Sequence, residues 1–134
     1  MNMFKVKVRD HLFIAHSLKD DFFGPAKNLH GATYVIDLII ASQNIDDKNV
    51  VIDIGVAARL LKECIDVYNY KNLDEIPALK DIITTTEFMA QQLTTDFLDK
   101  LKQEKFDSSS LCSIKMILNE SHAASASYKK IINE

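Results

Sequence analysis

Tryptophan is missing from this chain, and glycine (3), proline (2) and cysteine (2) are scarce among its 134 residues. So little glycine and proline excludes collagen-like or linker-like character and leaves few places where the backbone is forced to turn. Cys64 and Cys112 lie inside apolar stretches without the CxxC spacing of a zinc knuckle or redox pair, which reads as buried thiols rather than a disulfide. No apolar run reaches the roughly 18 residues of a membrane span. The opening "MNMFKVKVRDHLFIAH" also lacks the continuous apolar centre of a secretion signal. Neither sign of charge dominates: 16 basic and 19 acidic residues leave a net charge of -3, with no basic run to track a phosphate backbone. These absences argue against membrane and nucleic-acid partners. They leave a cytoplasmic globular protein as the expectation, with residues 1–134 forming one domain.

What is present is periodicity, and it changes along the chain. In "FKVKVRDHLFIAHSL" Phe4, Val6 and Val8 alternate with Lys5 and Lys7, as in a strand with one face buried. "DDFFGPAKN" carries the Gly24-Pro25 pair and reads as a loop, after which "ATYVIDLIIAS" is β-branched and apolar, a second strand. From Gly55 onward, "VAARLLKECIDVY" places Val56, Leu60, Cys64 and Val67 at near-helical spacing. "TTTEFMAQQLTTDFLDKLKQEK" opens on threonines followed by Glu87 and sets Phe88, Leu93, Phe97 and Leu101 on one face, which predicts a second, longer helix. "LCSIKMIL" and "ASASYKKII" are strand-like, and "NESHA" between them is the connection of a hairpin. The order β, β, α, α, β, β predicts an α+β fold: a four-stranded antiparallel sheet with two helices inserted between strands two and three. Helices can cover only one face of such a sheet. Its edges carry free backbone groups, so a homo-oligomer is expected.

Histidine is the commonest side chain for holding a metal, and the chain has four. His16 ends the first strand and His30 begins the second, so antiparallel pairing can bring their rings together. His11, five residues before His16, points to the opposite sheet face. Position 32 shares the face of His30, but Ala32 carries no donor atom. On spacing alone, His16 and His30 are either hydrogen-bonded pocket residues or two ligands of an incomplete metal site.

Read in order, "AH" at 15–16, "LHGATY" at 29–34, "VVIDIG" at 50–55, "NLDEIP" at 72–77, "TTTEF" at 84–88 and "NESHAASASY" at 119–128 form a series. That series resembles the 6-pyruvoyl and 6-carboxy tetrahydropterin synthases of the tunnelling-fold (T-fold) class, whose patterns include LHGHxY, MVxDF, PTxEN and ETxxxxAxY. The resemblance implies subunits that close their sheets into a barrel as trimers, with two trimers stacked in a hexamer. It also implies that Glu120 anchors the aminopyrimidine ring of a pterin, because a carboxylate accepts two parallel N–H bonds from such a ring. Thr85, Thr86 and Glu87 match the segment that lines the same pocket, and they also suit a helix start.

The resemblance breaks at the catalytic positions. His16 and His30 match two of the family's three zinc histidines, while Ala32 stands at the third. Ala26 stands where the family has cysteine, and Asn69 and Tyr70 stand where it has an Asp-His pair. Asparagine cannot orient a base by charge, and a tyrosine with its pKa near ~10 is a reluctant base. His122, two residues beyond Glu120, shares its face if the strand continues, which makes it the candidate third zinc ligand or replacement acid-base group. Tyr70 is the second catalytic candidate. Asp53 is expected to cap the following helix or hold a loop, and Asp74 is a further catalytic candidate, with loop packing the expected role for it and for Tyr70 alike.

The resemblance therefore implies a zinc-dependent lyase of the 6-pyruvoyl tetrahydropterin synthase type, acting on 7,8-dihydroneopterin triphosphate or a related reduced pterin. The alternative is a pterin-binding or regulatory oligomer that has discarded the chemistry. A purely structural paralogue would need neither histidine nor Glu120.

Overall fold

The alternation seen in the sequence becomes two 13-residue strands, β1 (Phe4–His16) and β2 (His30–Ser42), in the computed structural model, which describes residues 3–134. They pair antiparallel from Phe4 opposite Ser42 to His16 opposite His30. The segment between them is more ordered than the loop expected from Gly24-Pro25. It forms two 3-10 turns over Asp21–Lys27, started by Asp20, whose side chain accepts the Phe22 N–H at 2.8 Å. The turns are separated at Gly24, where φ is 56° and ψ -129°, a conformation that needs the missing side chain.

Helix α1 (Ile54–Asp66) buries Ala57, Leu60, Leu61, Cys64 and Ile65, the i, i+3, i+4, i+7 and i+8 positions of one stripe. Asp53 caps it as expected, accepting the N–H groups of Gly55 at 2.7 Å and Val56 at 3.3 Å. Val67, assigned to the buried face from spacing, lies past the last helical residue and is half exposed. Helix α2 (Thr86–Gln103) is capped by the Thr85 hydroxyl, which accepts the Phe88 N–H at 3.1 Å. It buries Met89, Ala90, Leu93, Phe97 and Leu101.

Strands β4 (Leu111–Asn119) and β5 (Ser125–Ile131) form the expected hairpin, and β4 pairs with β2. The sheet has five strands rather than four, in the order β3-β1-β2-β4-β5. The extra one, β3 (Lys71–Asn72), lies parallel to β1 and covers only Ile14 and Ala15. Two residues show no periodicity, so pattern reading passes over them. They are held by a clip on Phe13, whose N–H donates to Asn69 Oδ1 at 2.9 Å and whose carbonyl accepts the Tyr70 N–H at 2.7 Å. Beyond them come two more 3-10 turns, Leu73–Glu75 and Pro77–Leu79. Asp74 packs this loop as expected, with its carboxylate accepting the Ser17 N–H at 3.0 Å and the Ser17 hydroxyl at 2.5 Å.

Leu12, Ile14, Ile36, Leu38, Ile40, Ile114, Met116 and Leu118 point to the helices and form one core with them. Each such side chain stabilises the fold by roughly 1.5–3 kcal/mol through burial. The opposite face of the sheet carries no helix, as the sequence order requires. Cys64 is buried, and Cys112 is partly so; both are free thiols. Burial pushes the Cys64 thiol up to about 12, which keeps it protonated and unreactive.

Candidate functional site

The strand register decides where the histidines go. Because His16 and His30 are direct partners at the closed end of the β1–β2 ladder, their rings meet edge to face with centroids 4.7 Å apart. His16 Nδ1 lies 3.0 Å from the Thr84 hydroxyl, and His30 Nδ1 lies 2.8 Å from the Asn28 carbonyl. Both Nδ1 atoms are thereby engaged, and the Nε2 atom of each ring is the nitrogen left for a ligand. Burial, then the neighbouring His30, hold the His16 imidazole below its ordinary value, so it is neutral near pH 7. His11 lies on the other face, as predicted, and stacks on Phe13 at 6.4 Å.

The two histidines stand on the wall of a cleft of about 540 Å³ on the helix side of the sheet. Strand alternation carries the same face onward from His30 to Ala32 and Tyr34, which also line it. The N-terminus of α2 contributes Thr85, Thr86 and Glu87, and the end of β4 contributes Glu120. The Thr86 hydroxyl donates to Glu120 Oε1. Glu120 is itself exposed, and among the described residues its other carboxylate oxygen accepts no side-chain hydrogen bond. Tyr34, almost fully buried, hydrogen-bonds with Thr86, and burial raises its phenol above the ordinary range. This Tyr34, Thr86 and Glu120 chain gives the cleft one negatively charged, pre-oriented acceptor. Tyr34 has no role in the sequence reading, although its even-numbered place after His30 and Ala32 is a sufficient signal for the shared face. Phe23 and Leu18 also line the cleft, from a segment whose shape no sequence period reveals.

The remaining site candidates lie elsewhere. His122 sits in the exposed turn between β4 and β5 and lines a separate depression with Arg9, Asn119 and Val35. Only Thr33 and Glu120 are shared between that depression and the cleft. The reason is local: the N–H groups of Glu120 and Ser121 both turn back to the Ala124 carbonyl, which ends the strand before alternation can carry His122 to the face of Glu120. Tyr70 is 79% exposed at the sheet edge, stacked on Phe13 at 5.3 Å and held at φ 60°. Ala26 does line the cleft, but with a methyl group.

A zinc site needs three protein donors or more, and the cleft offers two imidazole nitrogens. Among the described residues, no group of three or more His, Cys, Asp or Glu side chains could hold a metal ion. The residues of this chain alone therefore do not fit a full zinc site.

Set against known proteins, residues 5–130 match the family model described as 6-pyruvoyl tetrahydropterin synthase. The chain belongs to the 6-pyruvoyl tetrahydropterin synthase family. A 6-pyruvoyl tetrahydrobiopterin synthase of Dictyostelium discoideum is 34% identical over 89 residues, which is 62% of this chain. The match spans 66% of that relative's length, just under two thirds. The 6-pyruvoyl tetrahydropterin synthase of Caenorhabditis elegans superposes with a TM-score of 0.78 at 20% identity, covering 97% of each chain. That of Plasmodium falciparum gives 0.81 at 16% identity, covering 97% of this chain and 99% of its own. These neighbours bear out the expected T-fold, with β3 as an added edge strand. No helix among the described residues is long and apolar enough to cross a membrane.

Proposed function

We propose that this protein binds a reduced pterin, 7,8-dihydroneopterin triphosphate or a relative of it, and acts on it as a lyase of the 6-pyruvoyl tetrahydropterin synthase type. The observation that carries the reading is the Glu120 carboxylate, which lines the cleft and accepts the Thr86 hydroxyl through one oxygen. A planar ring with an amino group beside a ring N–H fits such an acceptor, and the bond is charge-assisted. Thr85 and Glu87 border the ring pocket. At the strand ends, His16 and His30 face the ring's other side, and the neutral His16 offers a lone pair there.

His16 and His30 would supply two ligands to a zinc ion, and the described residues of this chain bring no third donor to them. Neither His122 nor Tyr70 lines the histidine cleft in its own chain. A catalytic role for either requires a second copy to present it, which accords with a homo-oligomer, in the family pattern a hexamer built as a dimer of trimers. Two free thiols suit a reducing compartment, and we place the protein in the cytoplasm.

A second reading, a pterin-binding protein without turnover, is favoured by one specific observation: Ala26 and Ala32 line the cleft where the resemblance calls for cysteine and histidine. A titration with reduced pterins, followed by turnover of dihydroneopterin triphosphate, separates the two. Glu120→Gln should weaken binding by about 1.5–3 kcal/mol, the range for a hydrogen bond to a charged group. Unchanged affinity in that variant removes Glu120 as the anchor. Binding without turnover, in metal-loaded and metal-free protein alike, leaves only the second reading.

A further inference from the structure

The helix-free face of the sheet carries a charge pattern that no stretch of the sequence displays. The register sets Lys7 on β1 opposite Ile39 on β2, Ile39 opposite Lys115 on β4, and Lys115 opposite Lys129 on β5. Three ammonium groups thus share one transverse row. Alternation puts Lys5 and Arg9 on the same face, two residues to either side of Lys7. The carboxylate among them is Asp37, and Arg9 occupies both of its oxygens, Nε to Oδ1 at 2.7 Å and an Nη to Oδ2 at 2.9 Å. Among the described residues, Lys5, Lys7, Lys115 and Lys129 enter no ion pair.

Side chains directly opposite one another in an antiparallel pair lie about 4.5–5.5 Å apart at Cβ, and like charges there destabilise the sheet. Lys115 and Lys129 are such a pair. The chain as a whole has a net charge of -3, so acidic residues are plentiful, yet almost none comes to this face. Ile39 and Ile117, both partly buried, floor the row with apolar surface, which strengthens the attraction of any counter-anion. Neither helix covers the row.

We propose that this face is a binding site for a condensed phosphate, with inorganic triphosphate as the ligand. The four strands span roughly 14 Å at their ordinary spacing, and lysine stems are long enough to converge on one short polyanion. Lysine is a phosphate binder as a point charge, and several ammonium groups answer a ligand with several charges better than orthophosphate does. The row lies at mid-strand on the far side of the sheet from the cleft, so the proposal does not depend on the pterin reading.

The test is a titration of the whole protein with sodium tripolyphosphate at low ionic strength, read by thermal shift and calorimetry. The wild type should melt several degrees higher with the ligand, and Lys115→Gln/Lys129→Gln should bind at least tenfold more weakly. Without ligand, that variant should melt no lower than the wild type, because a like-charge pair has been removed. Lys7→Gln, which leaves the hairpin untouched, should cut affinity several-fold on its own. Lys62→Gln, which removes a lysine on α1 away from the row, should respond like the wild type. No shift in the wild type, or an equal response in all the lysine variants, overturns the site. Tighter binding of a short DNA duplex than of tripolyphosphate overturns the ligand and makes the face a nucleic-acid surface.

Discussion

His16 and His30 are direct cross-strand partners whose ring centroids lie 4.7 Å apart, each with its Nδ1 already engaged. Two Nε2 atoms without a third donor would hold a zinc ion only weakly. Protein purified without a histidine tag should carry less than one zinc per chain by elemental analysis, and His30→Ala should carry none. Full occupancy that survives His30→Ala would place the metal elsewhere.

Thr86 supplies the hydroxyl that holds Glu120 in place. Thr86→Val keeps the shape and removes the donor, so pterin affinity should fall by about 1 kcal/mol or more. Tyr34→Phe should act in the same direction and more weakly, because it acts through Thr86. Calorimetric titration of both variants checks the order, and a larger loss in Tyr34→Phe contradicts the chain of contacts described.

Assembly follows from the sheet edges. Among the described residues, β1 over Phe4–Phe13 has β2 on one side and no strand on the other, and the outer side of β5 is unpaired as well. Exposed edges are a liability unless another chain pairs with them. Sedimentation should show a trimer or hexamer, and a stable monomer at micromolar concentration would exclude it.

Acid sensitivity should trace to Asp37. The Arg9 guanidinium, bound to both oxygens, holds that carboxyl below its ordinary value of 3.8. A depressed carboxylate stabilises the fold above the unfolded value, and the contribution is lost as pH falls through the lower folded value. Below about pH 4 the melting temperature of the wild type should therefore drop more steeply than that of Asp37→Asn. Parallel acid limbs in the two proteins would show that the pair adds nothing.

The long strands and both helices were legible because their periods run through Val6, Val8 and Leu12, broken on that face by Asp10 alone, or through Leu60, Leu61 and Cys64. Three features were not. β3 is too short to have a period, and it exists because Asn69 and Tyr70 clip onto Phe13. His122 follows Glu120 by two residues, but the turn closed on Ala124 cancels the alternation that would have joined them. The lysine row depends on which residue faces which across three ladders, a property of register that no single segment contains. Of the cleft residues, His16 and His30 were legible from strand pairing, whereas Thr86 at the start of α2 and Glu120 just past β4 were pointed to by the family resemblance. Those on the Asp21–Lys27 turns were not, except for Ala26, which only the family resemblance pointed to.

That segment has a further consequence. Asp21–Lys27 buries none of its residues and is kinked at Gly24, whereas Tyr34 and Thr86, which orient Glu120, belong to a strand and a helix of the core. A substitution at Ala26, the cysteine of the family pattern, should therefore cost little stability, while Tyr34 and Thr86 are tied to the packing of the core. Substitutions on this segment alone would not restore the family pattern, because Ala32 on β2 and the Asn69 and Tyr70 clip depart from it as well.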